Sequence, residues 1–195
     1  MITSRPRVVF GGLSLLFMLA FSGAAFAGFA GFVKNGNGTD YPVESNGRKS
    51  PVPVANAHYL DGDVIKLDGK LDESVWERAT GATGFYMWDP ERGEMPSEET
   101  VFKVLYDESA IYFGVACFED DPSKISQNLS RRDRFSNSDL VSIYIDPYLD
   151  RTTGYNFRVN PLGVQQDAYM FDNGNRDNDW NAVWEVETHR DDKGW

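Results

Sequence analysis

From Ala55 onward the chain alternates between short apolar runs and clusters of turn residues, the spacing of strands rather than helices. "TVFKVLYD" (Thr100–Asp107) and "AIYFGVACFED" (Ala110–Asp120) predict two strands joined by a tight hairpin at "DES". "DLVSIYIDP" (Asp139–Pro147), "GYNFRVNP" (Gly154–Pro161) and "GVQQDAYMF" (Gly163–Phe171) predict three more, with turn residues between them. "DVIKLDG" (Asp63–Gly69) and "ATGFYMW" (Ala82–Trp88) read as strands, "DNGNRDND" as a loop, and "WEVETHRDDKGW" as the opening of a further hairpin. The one helical signal is "DESVWERAT" (Asp72–Thr80), a turn or two with Asp72 as N-cap and Val75, Trp76 and Ala79 on one side. Roughly seven or eight short strands with almost no helix predict an all-β fold, an antiparallel β-sandwich. The last hairpin has one strand and a turn but no returning strand, so the sandwich reads as truncated at its C-terminal strands.

Ahead of this domain the pattern differs. Arg5 and Arg7 precede the run "VVFGGLSLLFMLAFSGAAFA", which closes on Ala25-Phe26-Ala27. A basic start, an apolar centre and an A-x-A site predict a signal peptide over residues 1–27. The alternative is an uncleaved membrane anchor, because the run is long enough to span. Both place the domain outside the cytoplasm, in periplasm, outer membrane or extracellular space. Residues 28–54, rich in Gly, Asn, Ser and Pro, read as a flexible linker, leaving 55–195 for the sandwich.

Composition narrows the chemistry. The net charge of −11 argues against nucleic acid as a partner, since phosphate binding needs a basic patch. The single Cys117 excludes a disulfide framework or a cysteine zinc cluster, and its apolar surroundings make it a small buried hydrophobe. With only His58 and His189, no Ser-His-Asp or Cys-His arrangement is readable. Among 30 acidic residues some carboxylate pair is inevitable, so none by itself indicates glycoside hydrolysis. Loop acids, Asp139 and Asp146 among them, are candidate ligands for a structural calcium ion, without EF-hand spacing.

Three stretches in order, "IKLDGKLDESVWERA", "FKVLYDESAIYFGVACFEDDP" and "NSDLVSIYIDPYLDRTTGYNFRVNPLGVQQD", resemble the family 9 carbohydrate-binding modules. The resemblance is to the version found at the N-terminus of large exported bacterial proteins that continue into an outer-membrane β-barrel. It implies a β-sandwich that binds an oligosaccharide or polysaccharide without catalysis, and structural calcium. It places a stacking aromatic at Phe135, where the family commonly has Trp, and Ser142 where the family carries an acid. It also implies that Arg158, in "FRVN", reaches into the sugar pocket. Strand alternation sets Arg158 and Asn160 on the side opposite Phe157 and Val159. Gln165 and Asp167 share a face on the following strand and are expected near Arg158, with Tyr155 and Tyr169 flanking. Trp180, amid polar residues, is a candidate exposed platform; Trp76 and Trp184 are candidate core. The expected function is non-catalytic carbohydrate binding in polysaccharide catabolism, any glycoside hydrolase activity belonging to relatives or other regions. The alternative is an interaction domain on a membrane β-barrel without sugar affinity. Haem ligation through Met87, Met95 or Met170 is the remaining class.

Overall fold

The computed structural model describes residues 54–87, 94–134, 137–150, 152–172 and 174–195, preceded by four short backbone strands, β1 (Leu15–Ala20), β2 (Gly28–Val33), β3 (Val43–Ser45) and β4 (Arg48–Ser50). β1 pairs antiparallel with β2, and β3 with β4. The next elements are β5 (Val54–Ala55), β6 (His58–Tyr59), α1 (Ser74–Arg78), β7 (Thr100–Tyr106) and β8 (Ile111–Cys117). They are followed by β9 (Val141–Ile145), β10 (Gly154–Val159), β11 (Gln165–Phe171) and β12 (Asn175–Asp177). Two sheets form the domain: β6-β7-β8, and an antiparallel β12-β11-β10-β9.

Each sheet turns one apolar face inward. Phe102 and Val104 of β7 meet Val141 and Ile143 of β9, with Phe157 and Val159 of β10 packed against them. This period-two placement makes the sandwich core. The outer face of β7–β8 is also apolar and is covered by α1. Val75, Trp76 and Ala79 pack with Leu105 and Leu60 in a second cluster, with Trp76 only 3% exposed. Gly114 of β8 makes room for that indole: a Cβ there would lie 2.7 Å from Trp76 Cζ3. Lys103 Nζ donates to the Trp76 carbonyl oxygen and ties the helix to β7. Trp76 is therefore core, as its side of the helical turn implied.

The β7–β8 hairpin forms where "DES" placed it. Asp107 Oδ1 accepts from Ser109 N at 2.6 Å, Ser109 Oγ at 2.7 Å and Ala110 N at 2.8 Å. These three donors hold the Asp107 carboxyl down to about 2. Cys117 is buried, and burial pushes its thiol well up.

Several expected elements differ. Asp63–Gly69 forms no strand, because its backbone finds no ladder: Lys66 N donates instead to Glu73 Oε1 at 2.9 Å. The helix starts one residue later than expected: Glu73 rather than Asp72 occupies the N-cap position, without a side-chain cap hydrogen bond. The run from Ala82 makes a single bridge, Ala82 to Phe102, and Trp88 lies outside the described residues. The polar loop 172–179 contains a strand instead: Asp172 and Gly174 take positive φ, turning the chain so that β12 pairs with β11. Residues 181–190 are extended without a ladder, in place of the expected late strand. The turn after them is present, and it returns the chain to β8. Trp195 N donates to the Cys117 carbonyl at 3.0 Å and its carbonyl accepts from Cys117 N at 2.8 Å. Gly194 permits this approach, at φ +142°; any Cβ there would overlap the Cys117 carbonyl.

Candidate functional site

The four-stranded sheet has two faces of different chemistry, and its register assigns every residue to one of them. Phe157 stands opposite Ile143 and Asp167, and Val159 opposite Val141 and Gln165. Directly opposed residues share a face. Tyr155, Phe157, Val159, Gln165, Asp167 and Tyr169 therefore point to the core side. Arg158 stands opposite Ser142 and Gln166, Asn156 opposite Tyr144 and Ala168, and Met170 opposite Arg176. These point away from the core.

On the core side, β9 and β10 meet the other sheet, whereas β11 presents the polar Gln165 and Asp167 followed by the rings of Tyr169 and Phe171. Its face is closed by a polar lock and a ribbon of rings. The Asp167 carboxylate is fully buried; its Oδ2 accepts from Trp184 Nε1 at 2.7 Å and from an Arg132 NH2 group. The Arg132 guanidinium also donates to Gln165 Oε1 at 2.9 Å and to the Ala182 carbonyl at 3.1 Å. Gln165 Nε2 donates to the Trp184 carbonyl at 3.0 Å. The lock thus fastens residues 182–184 and the 132–133 loop onto β11. The rings follow along it, with Phe157 5.3 Å from Trp184 and Tyr155 4.8 Å from Trp180. Tyr155 also lies 5.6 Å from Tyr169, which stacks 6.0 Å from Phe171. Burial, then Tyr148 and Tyr169, raise the Tyr155 phenol.

On the outer side the centre is sealed. Ser142 and Asn156 are both fully buried, and Asn156 Nδ2 donates to Ser142 Oγ at 2.8 Å. Around this pair stand two half-buried guanidiniums. Arg158 NH1 donates to Gln166 Oε1 at 3.4 Å, and Arg176 NH2 donates to Asn156 Oδ1 at 3.0 Å. Arg176 starts on β12 and reaches β10 across β11, where the small Ala168 stands opposite Asn156. Burial, followed by the neighbouring Arg158 charge, lowers the Arg176 guanidinium.

The residues singled out from sequence separate accordingly. Arg158 lies on the outer face, as alternation required. Gln165, Asp167, Tyr155 and Tyr169 do not join it, which corrects the expected grouping. A hairpin closing on Pro161–Gly163 opposes 158 to 166, so even-numbered residues share a face and Gln166 is the partner. Trp180 is half-buried on the core side, against Tyr155 rather than near Arg158. Ser142 is on the correct face, but its buried hydroxyl is engaged by Asn156. Asn160 is consumed by its own turn: Oδ1 accepts from Leu162 N and Val164 N, and Nδ2 donates to the Asn128 carbonyl and Ser138 Oγ. Phe135 lies outside the described residues. Trp184 is the half-buried anchor of the lock rather than a fully enclosed core residue.

Asp139 and Asp146 do not form a shared calcium site. They flank the whole of β9, and seven residues of extended chain separate them by about 23 Å. Asp139 Oδ2 accepts from Ser126 N, and burial, with help from Glu119, raises its carboxyl. Asp146 Oδ1 accepts from Tyr148 N in a local turn. Among the described residues no group of three acidic, His or Cys side chains is placed to hold a metal ion.

Arg176 and Gln166 escaped the sequence reading. Gln166 was lost to a parity slip of one residue. Arg176 sat in what read as a loop, and only the pairing of β12 reveals its face.

The all-β sandwich agrees with a sequence comparison: the model of the carbohydrate family 9 binding domain-like family matches residues 67–195, more than half of the chain. The chain belongs to this family. No curated protein and no solved structure matches it. Family membership supports carbohydrate binding in general. In this family 9-like domain, the outer face carries the guanidiniums of Arg158 and Arg176, and the core side carries that of Arg132, bonded to Asp167, Gln165 and Ala182.

Proposed function

We propose that this chain is a non-catalytic carbohydrate-binding domain that docks a glycan against the outer face of the four-stranded sheet, at Arg158, Gln166 and Arg176. The observation that carries this reading is the cross-strand register. It sets the Arg158 guanidinium beside Gln166 and away from the hydrophobic core, at a place where planar N–H donors can bridge adjacent sugar hydroxyls. The signal-peptide pattern of residues 1–27 supports an exported protein working on polysaccharide outside the cytoplasm. Continuation into an outer-membrane barrel remains part of this reading through the family resemblance alone.

Isothermal titration calorimetry of the full chain with a panel of neutral and acidic oligosaccharides tests it. Saturable binding that weakens by at least about tenfold in Arg158→Ala is expected, the loss of a charge-assisted pair of hydrogen bonds. Binding that survives Arg158→Ala but disappears in Trp180→Ala, with quenched tryptophan fluorescence, would move the glycan to the opposite face.

A further inference from the structure

Among the described residues of its strands, the outer face of the four-stranded sheet holds one aromatic side chain. Tyr144 of β9 stands directly opposite Asn156 and so shares its face. The other rings of these strands, Tyr155, Phe157, Tyr169 and Phe171, fall on the core side by the same register. There they pack on one another and on two tryptophans: Phe157 against Trp184, Tyr155 against Trp180 and Tyr169, Tyr169 against Phe171. Tyr144 has no ring against it among the described residues, and its phenol makes no hydrogen bond to them. It is half-buried, so part of the ring meets solvent.

Its neighbours on the face are the residues of the proposed glycan site. Asn156, across the ladder, accepts from Arg176 NH2 at 3.0 Å, which brings that guanidinium close to Tyr144. The proximity registers in the charge of Arg176: burial and then Arg158 lower it, and Tyr144 acts in the opposite sense. Arg158 opposes Ser142, two residues from Tyr144, a diagonal separation of about 7–8 Å. The ring therefore has both guanidiniums within reach.

A pyranose carries C–H groups on its faces and hydroxyls around its rim. The C–H groups pack on the electron-rich face of an aromatic ring, while the rim hydroxyls need polar partners to the side. Hydrogen bonds alone exchange water for protein and gain little. Apolar area removed from water supplies the rest, and on this face a tyrosine ring is the side chain built for it. We propose that Tyr144 is the stacking platform of the glycan site, packing on the C–H face of the sugar whose hydroxyl oxygens accept from Arg158 and Arg176. This rests on the outer-face reading above and adds the residue that gives it apolar contact.

The test titrates the full chain, Tyr144→Phe and Tyr144→Leu with cello-, xylo-, manno- and galacturono-oligosaccharides by calorimetry, and follows the sugar C–H protons by NMR. The tightest binder among them is expected to lose at least about tenfold in affinity in Tyr144→Leu. Tyr144→Phe keeps the ring and should lose about threefold, the share of one neutral hydrogen bond. The sugar C–H protons should shift upfield under the ring current on the wild-type chain and on Tyr144→Phe, and that shift should vanish on Tyr144→Leu. Circular dichroism checks that each variant is folded. The wild-type spectrum needs no variant, and a bound sugar without upfield C–H protons would overturn the stack. Wild-type affinity in Tyr144→Leu, with Arg158→Ala still weakening binding, would overturn the platform and leave the outer-face site standing. Equal losses in Tyr144→Phe and Tyr144→Leu would assign the effect to the hydroxyl and overturn the stack. Binding of none of these glycans would overturn the platform along with the outer-face function.

Discussion

The two faces of the β9–β12 sheet hold arginines in opposite ways. On the core side Arg132 meets a fully buried carboxylate, a glutamine oxygen and a backbone carbonyl, and its fork is committed to holding the chain closed. On the outer side Arg158 and Arg176 reach amide oxygens, with no carboxylate on their own strands' face. The same side-chain type is thus a fastener on one side and a receptor candidate on the other. What separates them is the acceptor each guanidinium reaches: a buried carboxylate for Arg132, side-chain amide oxygens for Arg158 and Arg176. Arg132 belongs to folding, because removing it strands a charge where water cannot reach.

The largest test of this contrast is stability. Arg132→Gln should lower unfolding free energy by about 2–4 kcal/mol, because Asp167 keeps its burial and loses its cation. Arg158→Gln should cost about 1 kcal/mol or less, as expected for a partly exposed, solvent-screened cation. Urea denaturation followed by circular dichroism measures both, and equal losses would erase the distinction. Binding should reverse the order. Arg158→Ala is expected to raise the glycan Kd about tenfold or more, while folded Arg132→Gln leaves it within about twofold, by calorimetry. Trp184→Phe refines the picture: the ring contact with Phe157 is kept and the Nε1 bond to Asp167 is lost. It should cost about 1 kcal/mol without altering glycan affinity.

The smallest effect concerns pH. Asp107 in the β7–β8 turn and Asp150 between β9 and β10 are each held down to about 2 by hydrogen bonds from turn hydroxyls and amides. Their folded values lie below the unfolded one, so their contribution is present above about pH 4 and is lost as pH falls toward 2. Carboxyl titration by NMR should give both midpoints near 2.

The fold was legible where two signals agreed. Alternation plus turn chemistry located β7, β8, β10 and β11, because a buried inner face demands period two and Asp107 or Asn160 supplies the turn. It failed where polarity alone spoke. Residues 172–179 look like loop, yet an edge strand can be polar, and the positive φ of Asp172 and Gly174 decides its formation. Residues 184–189 look like strand, yet extended chain becomes strand only with a ladder partner. At the site, alternation correctly gave the face of Arg158. The grouping with Gln165 failed because facing across a hairpin depends on register parity, where one step exchanges every neighbour. Arg132 was invisible for another reason: its partners Asp167 and Ala182 lie 35 and 50 residues away, and nothing local announces them.

The clasp between Trp195 and Cys117 sets an order of events. The edge of β8 waits for a segment made 78 positions later, and this non-local pairing must bear the entropy of a long loop before it gains anything in return. During synthesis the hairpin of β7 and β8, with Trp76 seated on Gly114, can assemble early. The Cys117 end of its outer edge gains these partners only once Gly194 and Trp195 have emerged.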